Sequence, residues 1–164
     1  MPTSATRRPD PAGRRRKPAR RPVLSLTVQY AIARAGLPAR STLRRWTAAA
    51  LERDVRVNLR FVGTAEGRTL NALYRGKEYA TNVLTFVYDD DIPLAGDIVL
   101  CVPVLRNEAR SGGKTLRSHC AHLVVHGVLH AQGWDHENAR EARRMEAKET
   151  ALLLRLGYDD PYLR

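Results

Sequence analysis

At 164 residues the chain holds one domain of ordinary size, long enough to bury a core of its own. Its net charge of +11 is uneven: residues 1–22 carry eight Arg or Lys against Asp10 alone, leaving +4 for the other 142, a balance that suits a polyanionic partner. Cys101 and Cys120 are too few and too far apart for a disulfide framework or a C-x-x-C site, and no apolar run reaches the roughly 18–20 residues needed to cross a bilayer.

Residues 1–22 offer little apolar surface to repay the entropy of ordering, and are expected to form a disordered basic tail ahead of one domain over 23–164. The tail is either an electrostatic arm for nucleic acid or a solvated extension. Arg20-Arg21 followed by Val23 to Ala35 loosely resembles an export signal, but Gln29 and Arg34 interrupt that run. Five prolines (Pro2, Pro9, Pro11, Pro18 and Pro22) also argue against the amphipathic helix of a transit peptide. A cytoplasmic protein is expected.

Leu24, Leu26, Val28, Tyr30 and Ile32 alternate as a first strand does. Ser41 is placed to cap a helix running to about Arg53, with Leu43, Trp46, Ala50 and Leu51 at helical spacing, so Trp46 is read as core. Val55, Val57, Leu59 and Phe61 alternate in a second strand, and Thr64 opens a helix through Leu70, Leu73 and Tyr74. A basic, glycine-containing loop from Arg75 then runs into a third strand ending near Phe86. A polar turn follows, and Gly96 to Val102 reads as a buried fourth strand.

Pro103 suits the start of a short helix, and Thr115 is placed to cap a long one. The last helix is expected over Glu137 to Leu156, capped by Asp135, with Met145, Ala147 and Leu152 to Leu154 facing inward and Gly157 ending it. This order predicts an α+β domain: a small mixed four-stranded sheet with helices packed around a central helix.

That central helix carries the chemistry. His126 and His130 are four residues apart and share one helical face, and Gly133 can turn the chain so that His136 approaches the same point. Three imidazoles with a fourth position open is the arrangement of a catalytic zinc, which lowers the pKa of water to about 7. His122 and His126 offer a competing register, but only the 126/130 pair has Gly133 and His136 correctly placed downstream. Asp135 or Glu137 could orient the His136 ring, although capping is the preferred role of Asp135. His119 is read as a surface or interfacial residue. Zinc peptidases carry a glutamate directly after the first ligand; Gly127 stands there, which weakens a peptidase or amidase reading.

The run His126-Gly127-Val128-Leu129-His130-Ala131-Gln132-Gly133-Trp134-Asp135-His136 resembles the H-G-x-L-H-x-x-G-[YW]-D-H signature of the YbeY family of metal-dependent endoribonucleases, with every fixed position present. The likeness extends over most of residues 24–158. It implies a zincin-like α+β fold around a central metal-binding helix, one Zn2+ held by His126, His130 and His136, and a non-ligating His122. The implied function is single-strand-specific cleavage in rRNA processing, including 16S rRNA 3′-end maturation, and in ribosome quality control. The implied partners are single-stranded rRNA and the small ribosomal subunit.

Arg75 matches the functional arginine of the family's R-G-K-D-x-P-T-[DN]-V-L-S-F segment. Lys77 is a second candidate for a phosphate contact, and the same likeness sets Asn82 and Asp97 in the pocket wall. The chain departs from the pattern at Tyr79-Ala80, where Lys-Pro is usual, at Val87, and at Trp134. Two rivals stand beside this expectation: a zinc hydrolase of another class, and a non-catalytic ribosome-assembly factor whose zinc is structural.

Overall fold

The computed structural model describes residues 19–89 and 91–163. Most of the expected basic tail, residues 1–18, lies outside them. Four strands and five helices follow in the order β1 (Leu24–Tyr30), α1 (Arg40–Ala49), β2 (Val55–Val62), α2 (Thr64–Arg75), β3 (Val83–Asp89), β4 (Leu94–Cys101), α3 (Val102–Ser111), α4 (Leu116–Ala131) and α5 (Ala139–Arg155). The sheet order is β1-β2-β4-β3; β1, β2 and β4 run parallel, and β3 closes one edge antiparallel to β4. This is the mixed α+β architecture anticipated from the pattern of elements.

Strand alternation sends the two faces of the sheet into different cores. Val55, Val57, Leu59 and Phe61 of β2, with Leu94, Ile98 and Leu100 of β4, meet Leu43 and Trp46 of α1, the apolar side of α4, and Met145, Leu152 and Leu153 of α5. Leu84, Val99 and Cys101 face the other way, where a smaller cluster includes Val62 and Leu70. Trp46 is fully buried and meets Tyr158 edge-on at 5.8 Å, so its role is packing. Both cysteines are buried and free.

Helix α4 is the axle of the domain. Nine of its sixteen residues are buried, because it packs against α1, α3, α5, β3 and β4 at once. Thr115 caps it as expected, its side chain accepting from the Ser118 N–H at 3.0 Å. Gly127 sets how near it lies to the sheet: a Cβ there would come within 2.9 Å of Ile98 Cγ2.

Several local expectations are corrected. Helix α1 starts after Ala39 without a side-chain cap, so Ser41 lies inside it, and it ends at Ala49. Helix α5 starts at Ala139, and its cap is Asn138, whose Oδ1 accepts from the Glu141 N–H at 2.9 Å; Asp135 does not cap it. The inner stripe of α5 runs Met145, Glu149, Leu152, Leu153, while Ala147 and Leu154 are exposed. A 3.6-residue repeat from Met145 selects position 149. The carboxylate there is fully buried.

Candidate metal centre

His126 and His130 stand one turn apart on α4, on the side that meets β3. Past Ala131, the Gly133 N–H bonds the His130 carbonyl and the Trp134 N–H bonds the Leu129 carbonyl, at 3.0 and 3.1 Å. Gly133 adopts a φ of +101°, the left-handed turn its position anticipated. Buried Gln132 pins this turn to the end of α1, donating from Nε2 to the Ala50 carbonyl at 2.7 Å and accepting from the Glu52 N–H at 2.7 Å. The chain reverses and brings His136 back: ring centroids lie 6.2 Å apart for His126 and His130, 5.4 Å for His126 and His136, and 5.8 Å for His130 and His136.

Two of these imidazoles are held by their far nitrogens. His126 Nδ1 donates to Glu149 Oε1 at 2.5 Å, and His130 Nδ1 donates to the Trp134 carbonyl at 2.9 Å. Each contact fixes a tautomer with the Nε2 lone pair free. Glu149 also accepts from His122 Nε2 at 2.9 Å and from the Tyr162 hydroxyl. Burial alone would push this carboxyl up, but the hydrogen bonds from His122, His126 and Tyr162 prevail and hold it down at about 2. A buried, ionised carboxylate therefore stands behind the histidines.

Among the described residues neither Asp135 nor Glu137 hydrogen-bonds the His136 ring; the carboxylate behind the histidines is Glu149, thirteen residues beyond His136, and it holds the His126 ring. Asp135 Oδ1 instead accepts from the His136 N–H at 2.7 Å. Asp135 is also closer to the centre than its sequence position suggested: ligand atoms of His130, Asp135 and His136 all lie within 4.8 Å of one another, a group able to hold a metal ion. His122 is a partner of Glu149, consistent with a supporting role. His119 is mostly buried, its Nε2 paired with Glu108 at 2.7 Å between α4 and α3, so it is interfacial and not a surface residue.

The three histidines line a cleft whose opposite wall is the end of α2, the loop 76–82 and β3. Arg75, Lys77, Tyr79, Thr81 and Thr85 lie on that wall, and Asp135 and Glu137 on the histidine side. Arg75 and Lys77 are exposed, and neither forms an ion pair among the described residues. Asn82 orders the start of β3: its Nδ2 donates to Glu108 at 3.2 Å and its Oδ1 accepts from the Val83 N–H at 2.7 Å. Asp97 does not reach this cleft. Strand alternation sets it on the sheet face away from α4, where it accepts from the Tyr88 hydroxyl.

The sequence model described as "Endoribonuclease YbeY" matches residues 37–157. The chain belongs to the YbeY family. Among similar proteins, Endoribonuclease YbeY of Aromatoleum aromaticum is 58% identical over 142 residues, covering 85% of this chain and 92% of its own length. Its counterpart from Nitrosomonas europaea is 54% identical over 140 residues, covering 85% of each chain. A solution structure of a Thermotoga maritima protein superimposes with a TM-score of 0.54 at 27% identity, covering 85% of this chain and 99% of the other. The YbeY match encloses Arg75 and all three histidines of the cleft.

Proposed function

We propose that this chain is a zinc-dependent endoribonuclease specific for single-stranded RNA. Its substrate is ribosomal RNA, including the 3′ end of 16S rRNA, and it acts in the cytoplasm on the small ribosomal subunit and in ribosome quality control. Membership of the YbeY family supports the reaction class. One structural observation supports the metal centre above all: His126 and His130 commit Nδ1 to fixed acceptors and leave Nε2 free beside His136.

The donor set fits zinc, whose usual ligands include neutral imidazole nitrogens held from behind by a carboxylate or a carbonyl. In this assignment His126, His130 and His136 hold one ion, while Asp135 keeps the His136 backbone in place. Bound zinc supplies Lewis acidity and an activated water. The rest falls to the chain itself. Glu149 keeps His126 in its ligating tautomer, and Arg75 presents a planar fork to the scissile phosphate and offsets its charge. Lys77 adds a second cation on the same wall. Residues 23–164 form the domain, and the basic segment 1–22 adds non-specific attraction to the RNA backbone.

The test is cleavage of defined fragments. Zinc-loaded protein is expected to cut single-stranded ribosomal RNA, to spare a matched duplex, and to stop on chelation. Cleavage indifferent to chelation removes the metal from the account. A metal-loaded protein that cuts no RNA removes the nuclease assignment.

A further inference from the structure

Most aromatic rings of α2, β3 and the turn after α4 are already engaged. Tyr74 packs on Phe86 with centroids 4.8 Å apart, and the Tyr88 hydroxyl bonds Asp97. The Trp134 indole N–H bonds Glu52, and the ring carries Arg144 and Lys148 at 5.8 and 6.0 Å. Tyr79 differs. It lies on the wall facing the three histidines, it is 55% exposed, and no aromatic ring packs on it among the described residues. Its one ring contact among the described residues is a cation, the Lys77 ammonium at 6.0 Å from the centroid.

The backbone at Tyr79 is tied down although its ring is exposed. Asn71, only 2% exposed, donates from Nδ2 to the Tyr79 carbonyl at 2.6 Å, tying the loop to the buried side of α2. The backbone that carries the ring is therefore held in place before any partner arrives, which lowers the entropy cost of stacking. An exposed aromatic ring in a cleft with two cations that form no ion pair among the described residues, Arg75 and Lys77, matches a base attached to a phosphate chain.

We propose that Tyr79 is the stacking platform for one nucleobase of the strand lying in this cleft, and that it contributes to selection of unpaired RNA. This rests on the nuclease assignment above and adds a residue to it. A duplex keeps its base faces covered by neighbouring pairs, so only an unpaired nucleotide can lay its base on the ring. The chemistry is indifferent to which base is presented, because every base has a π-face.

The experiment measures binding of a ten-nucleotide RNA containing 2-aminopurine, and of the same RNA annealed to its complement, under chelation so that nothing is cut. Tyr79→Ala is expected to weaken single-strand binding about five- to a hundredfold, leave duplex binding within twofold, and lose the 2-aminopurine quenching seen with the unaltered protein. Tyr79→Phe keeps the π-face and is expected to bind within twofold. Equal affinity and quenching in Tyr79→Ala overturns the proposal, and so does an equal loss for both RNAs. Neither outcome touches the metal centre, whose separate tests are cleavage with and without chelation and the zinc content of histidine variants.

Discussion

His126 Nδ1 lies 2.5 Å from Glu149 Oε1, so the imidazole at the centre of α4 is oriented by a carboxylate on α5 that is itself fully buried. Ring orientation at the cleft thus depends on the packing of two helices and not on the cleft alone. Replacing Glu149 by Gln leaves the volume and removes the charge. Metal affinity, measured by competition with a chromophoric chelator, is expected to fall about ten- to a hundredfold, the usual effect of losing the group behind a ligating histidine. Unchanged affinity would make Glu149 a stabiliser of the fold only.

Arg75 presents its guanidinium on the wall opposite the histidines and is outside the set of nitrogen donors. Arg75→Ala is expected to slow RNA cleavage about a hundredfold, in the range found when one transition-state donor is removed. Arg75→Lys restores little of this, since an ammonium lacks the two-pronged fork. Zinc content should be the same in all three proteins. A drop in bound zinc in Arg75→Ala would show the arginine to be structural.

Gly127 answers a question of spacing. A methyl at this position meets Ile98 Cγ2 at 2.9 Å, so α4 would have to move off the sheet or Ile98 change rotamer. Gly127→Ala is expected to cost about 1–3 kcal/mol in urea unfolding of the metal-free protein, as overpacking does. Adding Ile98→Ala removes Cγ2, the atom the new methyl meets, so the double variant should lose less than the two single costs summed. Full additivity of the two costs would contradict this packing account.

The order of strands and helices was readable because each element repeats its apolar residues at its own period. The histidine centre was readable because all three rings belong to one continuous stretch joined by a turn. Contacts made by tertiary packing were not. Glu149 sits within Glu146-Ala-Lys-Glu-Thr150, which reads as a solvated helical face. Only counting the repeat from Met145 shows that position 149 must point inward.

Asp97 misled for a related reason: its segment matches the family pattern, yet strand alternation turns the side chain to the other face. Gln132, too, bonds Glu52, eighty positions before it, and no local pattern announces that bond. Tyr79 is inconspicuous because a lone tyrosine in a loop carries no periodicity at all.

In the proposed metal centre three imidazoles, and not Asp135, hold the ion. Metal content after dialysis against a weak chelator, measured for the unaltered protein and for His126→Ala, His130→Ala, His136→Ala and Asp135→Asn, tests it directly. The expected result is one zinc per chain in the unaltered protein and in Asp135→Asn, and near none in each histidine variant, with thermal unfolding confirming that the metal-free chains remain folded. One zinc retained by His126→Ala but lost in Asp135→Asn would contradict it, and would move the centre to His130, Asp135 and His136.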